Sequence, residues 1–235
     1  MIMFEKNLKI DFDNLLPEYP KVSHCIKKYY PIGITRENKD YFDYSGIKEL
    51  NAIIEKNILD DDYYKKEWDE GFINELKLKL NFQDIRGTTA GLVPNFSGVI
   101  TLEKTLESRT ELHFYKSLIG NYFTIEILEN IHSKEISHPI FGNRKIWAIE
   151  NIVTSPVGKY KSLFERVYQL IIEKYNEAKF LPYIFDLYKV KLLDVPYKSD
   201  GEEVTIAGAF FQKYSSYNDS INIIGDIKYK LDELK

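Results

Sequence analysis

The sequence predicts an α+β fold: an antiparallel sheet, made of a meander plus a C-terminal hairpin, packed against one long helix with additional N-terminal helices. Three observations carry that reading. Gly120-Asn121 and Gly142-Asn143 each stand between two runs of strand-forming residues. A Gly-Asn pair supplies two neighbouring residues that tolerate the positive φ of a two-residue hairpin turn, so about four strands fit between Thr110 and Asn151. Ser155-Pro156 then opens the longest helical pattern in the chain, after the strands rather than between them.

Taken in order, Pro17, Pro20 and Pro31 break the first forty residues into short pieces, with a helical turn at Ile26 to Tyr30. Behind Asp43-Tyr44-Ser45, the residues Ile47, Leu50, Ile54 and Ile58 recur every three or four positions and predict an amphipathic helix capped by Asp43 or Ser45. A second helix runs from Asp60-Asp61-Asp62 through Tyr64 and Trp68 to Ile73. Alternation of Leu76, Leu78, Leu80 and Phe82 with Glu75, Lys77 and Lys79 then predicts a strand. Arg86 to Gly91 reads as a turn and Gly98 to Leu102 as a strand.

After the meander, a helix from about Pro156 to Ala178 offers Leu163, Val167, Leu170, Ile171 and Tyr175 to cover the sheet. Ser155 suits its N-cap and Pro156 its first position; Ser162 with Glu165 offers a second capping box for a later start. Tyr183 to Val195 and Glu203 to Lys213 flank Asp200-Gly201 as a hairpin. Ile221 to Ile224 adds a last strand and Ile227 to Leu234 a short helix. No linker divides the chain, so residues 1–235 form one domain.

The net charge of −4 comes from interspersed acids and bases, which disfavours a nucleic-acid partner. Cys25 is the only cysteine, which excludes an intramolecular disulfide and any multi-cysteine zinc site. The first twelve residues lack a signal-peptide core and no run of about 18 apolar residues follows, so the expected setting is cytoplasmic, without a membrane partner.

Glu75-Leu76-Lys77 on a strand would set a carboxylate and an ammonium on one face. That spacing resembles the metal-dependent nucleases of the PD-(D/E)xK type, with Asp60, Asp61 or Asp62 as upstream ligand; a solvated strand face produces the same pattern. His24, His113, His132 and His138 show no zinc spacing. Arg86 to Gly91 could offer backbone amides to a phosphate but lacks the lysine of a P-loop. Cys25 beside His24 makes a poor nucleophilic pair, since chain neighbours seldom point at each other. No cofactor, metal or catalytic residue is expected.

The window Asp60 to Glu70 concentrates six acids, two tyrosines and a tryptophan. A face of Asp61, Asp62, Tyr64, Trp68, Asp69 and Glu70 would bind a basic protein partner, aromatics anchoring and carboxylates steering. In its acidity, aromatic content and lack of a catalytic motif the chain is similar in type to bacterial immunity proteins, a likeness that implies a toxin domain as the partner. The alternative is a nuclease or other phosphate-chemistry enzyme using Glu75 and Lys77.

Overall fold

The spine of the sheet is β5 (Tyr122–His138), in a computed structural model that describes residues 9–10, 18–138, 142–199, 203–213 and 221–235. One edge of β5 pairs antiparallel with β4 (Ser108–Ser117), then β3 (Asn95–Lys104) and β2 (Ile85–Gly87) follow. The other edge carries three shorter strands in series. These are β8 (Lys179–Phe180), parallel, then β7 (Asn151–Val153) and β6 (Gly142–Ala148), both antiparallel. β10 (Asn222–Ile224) lies parallel to β7, and β1 (Lys9–Ile10) pairs separately with β9 (Lys189–Val190).

The predicted meander is present, with its turns placed differently. β4 and β5 are joined by four residues, 118–121, and neither Gly120 nor Asn121 takes a positive φ. Gly142 and Asn143 open β6, paired with His138 and Ser137, and so are strand residues; residues 139–141 lie outside the described residues. A register shift at Arg109/Glu111, with Asn130 at φ 52°, kinks β5 midway. Beyond the last β4 pair, Ser108 with His132, β5 and β6 continue as a two-stranded arm of six further β5 residues, about 20 Å.

Helices pack on both faces of this sheet. α1 (Pro20–Tyr29) starts on its proline, six residues before the expected turn, and ends one residue short of it, α2 (Asp40–Asp43) is a single turn, and α3 (Ser45–Ile54) buries Ile47, Leu50 and Ile54 as expected. Neither Asp43 nor Ser45 caps α3, whose N-cap is Tyr44. α4 (Asp61–Tyr64), capped by Asp60 through the Tyr63 N–H, runs through π-helical turns (Lys65–Ile73) into α5 (Asn74–Leu80).

The strand expected from Glu75 is therefore helix. Leu76 and Leu80 continue the four-residue ladder of Trp68 and Phe72 and all four are buried, whereas Leu78, which alternation would bury, is 83% exposed. Four large side chains stacked on one helical face outweigh a short alternating stretch. Gly98 makes room for this packing: a Cβ there would stand 2.3 Å from the Phe114 ring.

α6 (Lys161–Lys174) starts five residues later than Pro156, because a 3-10 turn (Gly158–Tyr160) intervenes. Ser155 is diverted from capping; its Oγ accepts from the Asp226 N–H and so holds the C-terminal segment. No side chain caps α6, whose N-cap is Tyr160. Its buried face is Phe164, Val167, Tyr168, Leu170 and Ile171, with Leu163 at the margin.

The expected C-terminal hairpin is reduced to a short antiparallel contact, in which the Val190 N–H donates to the Val204 carbonyl and the Ile206 N–H to the Tyr188 carbonyl. α7 (Ile184–Leu187) and a 3-10 turn (Ala207–Ala209) replace most of it, one isolated bridge joins Lys189 to Thr205, and Asp200-Gly201 lies outside the described residues. Ile221 to Ile224 does contribute β10, and Leu231–Leu234 is a terminal 3-10 turn.

Two apolar clusters result, one per face. Phe96, Ile100, Leu112, Phe114, Phe123, Ile125 and Ile127 pack on the α4–α5 rod and α6. Tyr115, Tyr122 and Leu128 pack on the opposite side with α1, α3 and the C-terminal segment. No helix among the described residues is long and apolar enough to cross a membrane. Val167→Asp should cost several kcal/mol in a denaturant titration, because it buries an unpaired carboxylate. Leu163→Asp should cost clearly less, and equal losses would contradict the placement of α6.

Candidate functional site

Strand pairing puts polar residues in a row on one face of the sheet. Leu112 and Phe114 of β4 face the α4–α5 rod and α6, so Glu111, His113 and Tyr115 face the other way. Thr124 and Glu126 of β5 lie opposite Tyr115 and His113, and Ser97 of β3 lies on the far side of Tyr115. All of them are buried.

Their contacts form a continuous chain. Arg109 Nε and Arg86 Nη2 stand 3.2 and 3.5 Å from Glu111 Oε1, and His113 Nε2 is 3.0 Å from Glu111 Oε2. The Tyr115 hydroxyl lies 3.5 Å from His113 Nδ1 and donates to Glu126 Oε1 at 3.4 Å. Lys213 closes the chain, its Nζ 3.0 Å from Glu126 Oε2 and 2.6 Å from Asp186 Oδ2, over the Tyr183 ring. Arg86, Arg109 and Lys213 thus balance Glu111, Glu126 and Asp186, as buried charges require.

The titration of these groups follows from that arrangement. Burial pushes the Asp186 acid up to about 6, with Lys213 pulling against it and Glu126 adding to it. Burial opposes the charge of Lys213, but its two carboxylates outweigh that and hold the ammonium above its ordinary value. Glu111 is resisted by burial yet lies below the usual carboxylate range, through its hydrogen bond from His113 and the nearby arginines. The Lys213 ammonium lies between the Glu126 and Asp186 carboxylates. Among the described residues no group of three or more His, Cys, Asp or Glu could hold a metal.

At its Arg109 end the chain opens onto the surface. A groove of about 660 Å³ lies between the β3–β4 turn and the base of the β5–β6 arm, lined by Lys104, Leu106, Arg109, His132, Trp147 and Glu150 among others. Leu106 at the turn is fully exposed and Trp147 is 56% exposed. The Arg109 guanidinium stacks 4.8 Å from the Trp147 ring centre. Glu150 takes a hydrogen bond from Asn130 Nδ2 at 2.9 Å.

The residues singled out from sequence fall elsewhere. Trp68 is fully buried, stacked on Phe96 at 5.0 Å with its indole N–H donating to the Ser97 carbonyl, so it is a core residue and not a surface anchor. Tyr64 is half-buried against Phe96. Asp69 is half-buried too, its Oδ1 filling the space that a Cβ on Gly87 would need. Asp61, Asp62 and Glu70 are exposed. The period-four spacing of Trp68, Phe72, Leu76 and Leu80 was the signal that Trp68 faces inward.

Glu75 and Lys77 sit two residues apart on α5, where they do not share a face, and Glu75 pairs with Lys79 at 2.8 Å. The strand-borne nuclease arrangement is therefore absent at those positions. The Arg86 to Gly91 loop is spent on β3: the Thr88 N–H donates to the Ser97 carbonyl and Thr89 Oγ1 accepts from the Ser97 N–H. The Cys25 thiol donates to the Ile119 carbonyl, and burial pushes it up to about 12. No protein-family model, curated protein or solved structure matches the chain.

Trp68→Ala should lower stability by about 3 to 5 kcal/mol in denaturant titration, the cost of an emptied aromatic site. A loss near zero would mean that the indole is not internal. The pH dependence of Asp186 has a definite sign. An acid whose folded pKa lies above its unfolded 3.8 binds its proton more tightly in the fold, so the stability it lends is full below that value and lost as pH rises through about 6. Asp186→Asn lacks this loss. Measured from about pH 4 to 8, the stability of the wild type minus that of the variant should fall by about 2 kcal/mol; a difference that stays flat or rises would refute the assignment.

Proposed function

We propose that this chain acts by binding another protein at the groove below the β5–β6 arm, in the manner of a cytoplasmic inhibitor such as a toxin-neutralising immunity protein. The observation that supports this reading is the exposed pair Leu106 and Trp147 on either side of Arg109. Tryptophan and arginine are the side chains that dominate binding energy at protein interfaces. Here the arginine is held from behind by buried Glu111, so less freedom is lost on binding than from a free side chain. Asn130, His132 and Glu150 give the groove a polar rim.

A second surface has its own support. Asp61 and Asp62 are exposed on α4 at the start of the helical rod, with Tyr63 38% exposed beside them, and Glu70 is exposed farther along in the π-helical turns. Those carboxylates suit the steering of a basic partner, with Tyr63 rather than Trp68 as its aromatic contact.

A tagged chain used to capture partners from source-cell extract separates the two surfaces. Capture lost in Trp147→Ala, at a cost of about 2 kcal/mol or more in affinity, supports the groove. Capture retained there but slowed in association by Asp61→Asn with Asp62→Asn supports the acidic end. A partner indifferent to all three substitutions would contradict both surfaces.

A further inference from the structure

The groove is the place where β4 ends and β5 runs on, and the main chain there determines what fits; the inference rests on the groove being the docking surface. Past the last β4 pair, Ser108 with His132, no strand among the described residues lies along this edge of β5, while β6 stays paired on the other edge through His138 without a register shift. The Thr105 N–H donates to the Ser108 carbonyl at 2.8 Å, so Ser108 turns its main chain toward β3 and its register partner His132 turns its own toward β6. Alternation then points the N–H and C=O groups of Ser133, Glu135 and Ser137 at the open edge. The outermost strands β2 and β10 are each three residues long, short enough to discourage pairing. This edge instead extends about 20 Å and contains no proline.

A row of alternating donors and acceptors is matched by the backbone of another extended chain. A second copy fits poorly: a two-fold pairing that used all three residues would set Glu135 of one copy opposite Glu135 of the other, and like charges placed opposite repel. We propose that an extended segment of the partner protein adds to β5 as a strand, in the line that β4 vacates. The residue it sets opposite Ser133 projects on the face that carries Trp147, because Ser133 and Trp147 are register partners. Ser133 is small and exposed, so a leucine-sized side chain reaches across it to the exposed indole. Exposed Leu106, in the β3–β4 turn, adds an apolar contact where the segment meets the end of β4.

The test is fluorescence anisotropy with the full chain and the labelled peptide Thr-Val-Thr-Leu-Thr-Val-Thr, plus two N-methylated forms of it. When its leucine lies opposite Ser133, the valine and leucine amides point at β5 and the threonine amides point away. Methyl groups on the valine and leucine nitrogens should weaken binding about tenfold or more, methyl groups on the threonine nitrogens should leave it unchanged, and Trp147→Ala should weaken it about tenfold. In the complex, the amide protons of Ser133, Glu135 and Ser137 should exchange more slowly than in the free chain, as read by NMR. Two methylated peptides that bind equally, yet less well to Trp147→Ala, would overturn strand addition and leave the groove as a docking surface. Binding that ignores Trp147→Ala, or slowed exchange at another edge instead, would overturn the site. No binding at millimolar peptide would overturn the proposal, and a dimer of the free chain that the peptide dissociates would overturn the choice of a foreign partner. Trp147 is exposed, so circular dichroism of Trp147→Ala should match the wild type; the methylated peptides and the exchange rates need no substitution and decide the matter if it does not.

Discussion

The position of one ammonium organises the polar half of this protein. Glu126 sits 1% exposed in the middle of the sheet and Asp186 approaches it from α7, two carboxylates that could not both stay ionised in a buried site unaided. Lys213 lies between them and makes the pair tenable. It also ties three distant stretches together, β5, α7 and the segment that carries Lys213 itself, so that this C-terminal part of the chain is fastened to the sheet by charge as well as by apolar contact. From Glu126 the same satisfaction passes to Tyr115, His113 and Glu111 and ends on the two arginines. The links from Tyr115 to His113, His113 to Glu111 and Glu111 to Arg109 run along β4 between residues two apart, and Tyr115 to Glu126 carries the chain across to β5.

This explains why the two faces of the sheet are covered so differently. The face toward the α4–α5 rod and α6 is aromatic and aliphatic, and simple rods with a four-residue ladder fill it. On the other face β4 carries Glu111, His113 and Tyr115 at every second position, groups that apolar side chains alone could not satisfy. Segments bearing Asp186, Lys213 and Tyr183 meet this polar row, and α1 and α3 pack on the apolar remainder of the same face. The kink at Asn130 then separates the covered part of β5 from the arm. Arg109 stands at that boundary, with Glu111 behind it and Trp147 in front, and so the buried chain of charge and the exposed groove share one side chain.

How far the sequence reveals this depends on whether the deciding partner is near or far along the chain. The meander, α3, the helix that begins at Asp60-Asp61-Asp62 and β10 rest on local patterns and were legible. The Glu75 strand was misread because alternation and a four-residue ladder coincide at Leu76 and Leu80, and only the packing of Trp68 and Phe72 settles which period wins. The start of α6 moved because Ser155 bonds to Asp226, a partner 71 residues away. The alternation Glu111-x-His113-x-Tyr115 was visible as a pattern inside an expected strand, yet nothing local says that such a face is buried. Its counter-charges come from residues 186 and 213, in a region whose β-rich composition suggested a hairpin. The same distance hid the groove, since Leu106 and Trp147 meet only through the β3–β4–β5–β6 pairing.

The most direct test of this account is a double-mutant cycle on the pair at its centre, Lys213→Met, Asp186→Asn and both together, followed by denaturant unfolding near neutral pH. If Lys213 is the shared counter-ion, the substitutions should couple by about 2 kcal/mol or more, the double variant losing far less than the sum of the single losses. Losses that simply add, with a coupling energy within about 0.5 kcal/mol of zero, would contradict it.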